Sequence, residues 1–108
     1  MIRGDVVLAA APGDYGKPRP AVVIQSDLFN ETHPSIVVCP LTTHRIEAPL
    51  FRVALEPTRA NGLRQSSQVM IDKITTLRRD RLGDPIGRLE AEALVRLDRA
   101  LAVFLGLA

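Results

Sequence analysis

Short apolar runs, each ended by proline, glycine or a polar cluster, recur along the first three quarters of the chain. They are DVVLAA (5–10), AVVIQ (21–25), SIVVCPL (35–41), LFRVALEP (50–57) and SQVMIDKITTL (67–77). Their length and their many β-branched residues are typical of strands, and the runs without polar alternation are typical of strands buried on both faces. The longest run is expected to form one bent strand, because it is too long to stay flat in a small twisted sheet.

A helical pattern is clear only at the end of the chain. Between about Glu90 and Leu105 one stripe is apolar, and it consists of Leu94, Leu97, Leu101 and Phe104. Glu92 and Arg96 have the i,i+4 spacing of a favourable ion pair. Several short strands followed by one helix predict a mainly β (α+β) fold, a small and partly open β-barrel that the C-terminal α-helix closes.

The size and composition of the chain indicate one globular domain. A length of 108 residues suffices for a single compact unit, residues 1–108. The composition, 46% hydrophobic and 24% charged, is neither that of a disordered chain nor that of a fibrous one. No apolar run has the length of a membrane span, and the N-terminus lacks the pattern of a signal peptide. We therefore expect a cytoplasmic protein without a membrane-bound part.

Cysteine and histidine are too sparse to indicate a metal site. Cys39, the single cysteine, lies in an apolar run and is expected to be a buried thiol. His33 and His44 lack the companion ligands of a zinc site. His44 is an alternative acid or base, although a place in an exposed loop is favoured. We expect no metal and no cofactor, and hence metal-independent chemistry.

The segment KPRPAVVIQ (17–25) places Arg19 between two prolines. Pro18 and Pro20 each fix their own φ and hold the preceding residue in an extended conformation. Because Pro20 cannot donate to a sheet, it is expected at the first position of its strand, which leaves Arg19 at the rim. Such an arginine is a candidate anion clamp, and the alternative is a surface arginine that caps a loop. The net charge is only +2, but the excess of arginine over lysine is compatible with a nucleic-acid partner, and the alternative is that it reflects genome base composition.

Two further segments carry candidate polar groups. In CPLTTHR the strand ends at Thr42 and Thr43, whose hydroxyls can hydrogen-bond a phosphate oxygen, although most threonines in such places only favour β structure. In VMIDKITTL we expect Asp72 on a largely apolar face, opposite Val69 and Ile71. A carboxylate on such a face is a candidate for proton transfer, and the structural alternative is an ion pair with a nearby arginine.

Five sequence blocks together resemble one known family. In chain order they are RGDVV (3–7), KPRPAVVIQ (17–25), VCPLTT (38–43), EPTRANGL (56–63) and S-x-VMIDKITTL (67–77). Blocks of this kind in this order, covering nearly the whole chain, are similar to the MazF/PemK (Kid) toxins of bacterial toxin–antitoxin systems. The resemblance implies an SH3-like or CcdB-like barrel that acts as a homodimer. It also implies a metal-independent endoribonuclease that cuts single-stranded mRNA at short sequences and is silenced by an antitoxin.

The resemblance also implies roles for individual residues. The arginine of the family's R-P strand start matches Arg19, the threonine after the third strand matches Thr42, and the acid of the last block matches Asp72; these three are the expected catalytic residues. The expected RNA-binding residues are Tyr15, Lys17, Thr43, Ser67 and Lys73. Some members use a loop histidine where this chain has Gly-Asp-Tyr (13–15), and others have glutamine at the position of Lys73, so proton-transfer roles do not carry over directly.

The chemistry of RNA cleavage is compatible with these residues. Without a metal, the ribose 2′-OH serves as the nucleophile, which requires a base, an acid and a cation at the phosphorane. Arg19 is expected at the phosphorane, Asp72 in acid–base work, and Thr42 at a phosphate oxygen. The expected products carry a 2′,3′-cyclic phosphate and a 5′-hydroxyl.

The expected partners are single-stranded RNA, a second copy of the chain and a cognate antitoxin. A disordered acidic segment of the antitoxin would cross the Arg19 groove and fold on binding. One alternative is a barrel that binds RNA or a peptide without cutting. Another is a gyrase poison of the CcdB type, which is disfavoured because that family uses a tryptophan near its C-terminus and this chain has none.

Overall fold

The computed structural model describes residues 1–10 and 17–108, which form an antiparallel sheet and a C-terminal helix. The strands are β1 (Asp5–Ala9), β2 (Arg19–Val23), β3 (Ser35–Thr42), β4 (Arg52–Leu55), β5 (Ser67–Met70), β6 (Thr75–Arg78) and β7 (Leu82–Arg88). The helices are the single turn α1 (Asp27–Asn30) and the longer α2 (Ala91–Phe104), with 3₁₀ turns at Ile71–Lys73 and Arg79–Arg81. Strand order is β4-β5-β3-β2-β1-β7, and β6 also pairs with β3. Across the described residues this seven-stranded sheet does not close, so the predicted partly open, mainly β fold with a C-terminal helix is confirmed.

The segment 67–77, predicted to be one bent strand, is instead two strands separated by a turn. β5 pairs with Leu41 and Thr42 at the end of β3, whereas β6 pairs with residues 35–38 at its beginning. Between these pairings β3 has two residues and the opposite segment has five, so a continuous strand cannot keep both registers. The turn at Ile71–Lys73 accommodates the difference. The prediction of a single strand was wrong because an apolar pattern does not show with which residues each half pairs.

Apolar cores lie on both faces of the sheet. In β2, Val22 belongs to the first core, whereas Ala21 and Val23 belong to the second, as strand alternation requires. All three side chains are buried. The expectation of strands buried on both faces is thus confirmed. Cys39 lies in the first core, where burial raises the pKa of its thiol to about 12. At neutral pH this thiol stays protonated, as expected for a structural cysteine.

Helix α2 covers the first core with its apolar stripe, as predicted. Leu97 is completely buried at the centre of the stripe, whereas Phe104 at the end of the helix is half-exposed. Glu92 and Arg96 form the expected ion pair at 2.7 Å. Within residues 1–10 and 17–108, no helix is long and apolar enough to cross a membrane.

The Arg-Gly-Asp sequence at the start of the chain joins the N-terminus to α2 and β7. Arg3 makes an ion pair of 2.7 Å with a carboxylate of α2. Gly4 has a φ of +92°, and a Cβ there would lie 3.0 Å from a methyl carbon of Leu94. The buried Asp5 carboxylate accepts a hydrogen bond of 3.1 Å from Arg88 on β7. The Arg-Gly-Asp sequence is therefore explained by contacts that pack the N-terminus against α2 and β7.

We predict that Leu97→Ala lowers the free energy of unfolding by about 2–5 kcal/mol, because it removes a fully buried side chain and leaves a cavity between α2 and the sheet. Val95→Ala, in the same helix but at a half-exposed position, is the control and should change stability by less than about 0.5 kcal/mol. Urea denaturation measures both. Equal losses for the two variants would contradict the placement of the helix.

Candidate functional site

A cavity of about 400 Å³ opens where β2, β3 and the 71–73 turn meet. Its polar lining side chains are Arg19, Thr42, Lys73 and Thr75. Its apolar lining includes Pro20, Pro40 and Met70. We call this cavity the Arg19 groove. It brings together two of the three predicted catalytic residues and one of the predicted RNA-binding lysines, from three separate parts of the chain.

Arg19 reaches the groove because β2 extends beyond the strand that covers its other side. In β1, Ala9 pairs with Arg19, whereas β3 pairs with β2 only from Ala21 onward. Arg19 is exposed at this rim, as predicted, and Pro20 is the second residue of the strand rather than the first. A proline is tolerated here because the position needs no hydrogen-bond donor toward β3.

Thr42 is the last residue of β3 and is half-buried. Its Oγ1 accepts a hydrogen bond of 3.1 Å from the backbone N–H of His44, which turns the chain out of the sheet. The hydroxyl hydrogen of such a threonine remains able to donate to an anion in the groove. His44 itself is exposed in the following loop, as the sequence predicted.

The loop after Thr42 is held by a residue that the sequence reasoning missed. The buried Gln68 side chain accepts a hydrogen bond of 3.2 Å from the N–H of Ile46 and donates one of 2.9 Å to its carbonyl. Gln68 also pairs with Thr42 in the sheet. A carboxamide directly before the apolar residues Val69 and Met70 of a predicted strand is the signal that could have identified it, because a buried amide needs partners.

Lys73 owes its place in the groove to the 3₁₀ turn. The preceding residue, Asp72, was expected on a strand, but it lies in this turn and its carboxylate points to Arg52 of β4. Two hydrogen bonds join them, from Nε at 3.0 Å and from Nη2 at 3.3 Å. The Arg52 side chain is only 8% exposed and that of Asp72 is 25% exposed. The ion pair that was the structural alternative for Asp72 is thus confirmed, and Asp72 is not among the residues that line the groove.

Arg52 is a second residue that the sequence reasoning missed. In the sheet it pairs with Met70, two residues before Asp72, and this register brings the guanidinium to the carboxylate. The backbone N–H of Ile71 also donates to the carbonyl of Phe51 at 3.0 Å, which fixes the turn by its main chain to the residue that precedes β4. In LFRVALEP (50–57) the alternation of apolar and polar residues places Arg52 on the opposite face of the strand from Val53 and Leu55, and nothing in that pattern identifies its partner.

A second cavity, of about 440 Å³, adjoins the Arg19 groove and shares Pro20 with it. Two other predicted RNA-binding residues, Thr43 and Ser67, line this second cavity. Lys17 is exposed and lines neither cavity. Tyr15 lies outside the described residues. The predicted RNA-binding residues therefore divide between two adjacent cavities.

The part of the chain that the structure describes contains no group of three or more His, Cys, Asp or Glu side chains placed to hold a metal ion. The polar groups of the described groove are two cations and two hydroxyls. This arrangement is suited to an anion such as a phosphate, because guanidinium and ammonium groups bind phosphate oxygens by charge-assisted hydrogen bonds.

Sequence comparison finds relatives over the whole chain. A family model described as PemK-like, MazF-like toxin of type II toxin–antitoxin system matches residues 2–105. The probable endoribonuclease MazF of Mycolicibacterium smegmatis is 52% identical over 109 residues, which cover 100% of this chain and 99% of that protein. Endoribonuclease EndoA of Bacillus subtilis is 30% identical over 109 residues, covering 97% of this chain and 94% of that protein.

Solved structures show the same fold. An endoribonuclease from Mycobacterial species, solved in complex with its cognate antitoxin, superposes with a TM-score of 0.86 at 29% identity and covers 100% of this chain and 97% of its own. The Mycobacterium tuberculosis toxin MazF-mt6 superposes with a TM-score of 0.83 at 25% identity, covering 96% of this chain and 98% of its own. The fold expected from the sequence resemblance is thereby confirmed.

We predict that Gln68→Ala loosens the loop that follows Thr42, because it removes both hydrogen bonds to the Ile46 backbone. The Ile46 amide should then exchange with deuterium faster by about fivefold or more, since a lost hydrogen bond of this kind contributes about 1 kcal/mol or more. Hydrogen exchange measured by NMR tests this. Gln65→Ala is the control, because Gln65 is exposed and should leave the Ile46 exchange rate unchanged. An unchanged exchange rate of the Ile46 amide in Gln68→Ala would show that Gln68 does not hold this loop.

Proposed function

This chain belongs to the PemK/MazF family of toxins of type II toxin–antitoxin systems, and on that premise we propose that it is a sequence-specific endoribonuclease that cleaves single-stranded RNA in the Arg19 groove. The observation that carries the proposal is the convergence of Arg19, Thr42 and Lys73 on one cavity. The relatives named endoribonucleases support the reaction class. The cationic and hydroxyl side chains that line the groove support its assignment as the phosphate-binding site.

In this proposal the scissile phosphate binds between Arg19 and Thr42. The ribose 2′-oxygen attacks the phosphorus and loses its proton, the bond between the phosphorus and the 5′-oxygen of the next nucleotide breaks, and that oxygen takes up a proton to become the 5′-hydroxyl. Negative charge grows on the phosphorane oxygens, and Arg19 stabilises it there, with Lys73 as a second cation. Thr42 donates its hydroxyl hydrogen to a phosphate oxygen and thereby orients the group. The products are a 2′,3′-cyclic phosphate and a 5′-hydroxyl, and no metal takes part.

Asp72 has a different role here from the one expected from the sequence. Its carboxylate already accepts two hydrogen bonds from Arg52 and is absent from the lining of the groove. We therefore assign Asp72 as a positioning residue that holds the 71–73 turn and, through it, Lys73. Among the described residues, no carboxylate or imidazole lines the groove, so we assign proton transfer to none of them.

The proposal includes two protein partners. A cognate antitoxin silences the enzyme by laying an acidic segment against Arg19 and Lys73, where it competes with the RNA backbone for the same cations. The chain acts as a homodimer in the cytoplasm, where mRNA is available. The structural relative solved with its cognate antitoxin supports the first of these partnerships.

Cleavage itself is the first test. The purified protein, incubated with long single-stranded RNA in EDTA, should cut at a small set of related sequences and leave 5′-hydroxyl ends. Arg19→Ala should lower the cleavage rate by about a hundredfold or more, because removing one donor to a developing oxyanion typically costs that much. Arg99→Ala, an exposed arginine on α2, is the charge-matched control and should cut like the wild type.

Two outcomes would contradict the mechanism. Ends carrying a 5′-phosphate would exclude attack by the 2′-OH. A rate for Arg19→Ala within tenfold of the wild type would remove Arg19 from the phosphorane. Binding of RNA without any cutting would instead favour the non-catalytic barrel.

The second test concerns the Arg52–Asp72 pair. Asp72→Asn should lower kcat/KM by about ten- to a hundredfold, because a displaced turn misplaces Lys73. The pH profile of kcat should keep its shape, since a positioning residue contributes no ionisation to the chemical step. A profile that loses one limb would mean that Asp72 transfers a proton. As a control on the pairing, the double variant Arg52→Gln/Asp72→Asn should have nearly the same kcat/KM as Asp72→Asn alone, because the two side chains act as one unit.

A further inference from the structure

We infer that the second cavity binds the nucleobase next to the scissile phosphate, and that Arg64 and Gln65 determine which base is accepted. This inference rests on the proposed function. It names the residues that select the substrate, whereas Arg19 and Thr42 bind a group that every nucleotide has. We call this cavity of about 440 Å³ the base cavity.

The walls of the base cavity are aliphatic. Leu8 of β1 and Ile86 of β7 are 36% and 40% exposed, and Leu63 and Pro20 complete the apolar lining. An unstacked base of single-stranded RNA has two flat faces that lose their stacking partners when the strand is extended. Apolar walls around a cavity replace those partners and remove the faces from water.

The rim of the base cavity carries the groups that distinguish bases. Arg64 and Gln65 are exposed, and neither side chain makes a hydrogen bond or ion pair within the part of the chain that the structure describes. A guanidinium presents paired donors that match O6 and N7 of guanine, and a carboxamide presents the donor and acceptor that match adenine. Thr43 adds a hydroxyl to the same lining.

The loop that carries these two side chains is held by hydrogen bonds within the chain. Buried Asn61 accepts hydrogen bonds from the backbone N–H of Leu63 at 2.9 Å and of Thr58 at 3.0 Å. Ser67 donates its hydroxyl hydrogen to the carbonyl of Gln65 at 2.9 Å, which fixes the backbone beside the rim. A preformed site of this kind loses little conformational entropy when the base enters.

A close approach between the loop and β7 adds to these restraints. Gly62 has a φ of +70°, and a Cβ there would lie 2.2 Å from the carbonyl oxygen of Ile86. Only glycine fits at this contact. The loop therefore lies directly against the strand that supplies one wall of the base cavity.

The two cavities are adjacent in the way that one nucleotide requires. Pro20 lines both, and the consecutive residues Thr42 and Thr43 line one each. A phosphate at Thr42 therefore has a neighbouring base within reach of Thr43. This continuity with the Arg19 groove is the reason to assign the base cavity to RNA rather than to another ligand.

The experiment compares cleavage-site preferences on a long RNA of mixed sequence. Wild type, Arg64→Ala, Arg64→Lys and Gln65→Ala are incubated in EDTA, and the cut ends are mapped by sequencing. Arg59→Ala is the charge-matched control, because Arg59 is exposed in the same segment and does not line the base cavity. We expect Arg64→Ala or Gln65→Ala to lose about tenfold or more of the discrimination at one position beside the cut, with the other positions unchanged. Arg59→Ala should keep the wild-type preference.

Arg64→Lys separates base recognition from attraction to the phosphate backbone. If Arg64 recognises a base through its fork, the lysine variant should lose the preference as the alanine variant does. If Arg64 only attracts phosphate, Arg64→Lys will behave like the wild type and Arg64→Ala will slow cutting at all sites equally, which would overturn the inference for this residue. Unchanged preferences in both Arg64→Ala and Gln65→Ala would overturn it entirely. The inference would also be overturned if Arg64→Ala or Gln65→Ala differed from the wild type in oligomeric state on size-exclusion chromatography. Such a difference would make the cavity part of a contact between copies of the chain.

A failure of the proposed function is distinguishable from a failure of this inference. If the wild type cuts no RNA, the proposed reaction is wrong, and the same variants are compared for binding to a panel of short single-stranded RNAs. A base preference that disappears in Arg64→Ala or Gln65→Ala, but not in Arg59→Ala, would still support the base cavity. Binding without any base preference in the wild type would overturn it.

Discussion

The ion pair between Arg52 and Asp72 lies at the point on which the geometry of the site depends. The segment 67–77 pairs with both ends of β3 through β5 and β6. These two registers are compatible only if the five residues between the pairings, 70–74, fit opposite the two residues 39–40 of β3. The 71–73 turn accommodates them, and Arg52 holds that turn with two hydrogen bonds from a side chain that is almost buried. Removing charges from water is costly, so such a pair is stabilising only when its geometry satisfies both partners. Lys73 reaches the groove because the turn is fixed.

The same central strand gathers the remaining polar groups. β3 pairs with β2 on one side and with β5 and β6 on the other, so its last residue, Thr42, lies close to Arg19 and to the 71–73 turn. Pro20 extends past the pairing with β3, and Pro40 faces the interruption between β5 and β6. Both prolines therefore occupy positions where a backbone donor is not needed. A rigid rim of this kind lets cations bind a phosphate without ordering their backbone at that moment.

The sequence predicted the parts of the structure that local chemistry decides. The mainly β fold, the helix with Leu97 at its centre, the buried Cys39 and the rim position of Arg19 all follow from periodicity, burial and proline geometry. The broken strand could not be predicted, because register depends on partners that are distant in sequence. For the same reason the pattern around Asp72 permitted an ion pair without naming Arg52, and the second cavity became visible only when Thr43 and the 63–67 segment lay side by side.

The most direct test of the Arg19 groove as the site of cleavage is a crystal structure of the protein with a single-stranded oligonucleotide of its preferred sequence, made uncleavable by a 2′-deoxy sugar at the cut site. We expect the scissile phosphate to lie between Arg19 and Thr42 with Lys73 beside it. The Arg52–Asp72 pair should stay intact, and the neighbouring base should enter the cavity between Leu8 and Ile86. An oligonucleotide bound on another face of the protein, or an Asp72 that has left Arg52 to contact the ribose, would contradict this expectation.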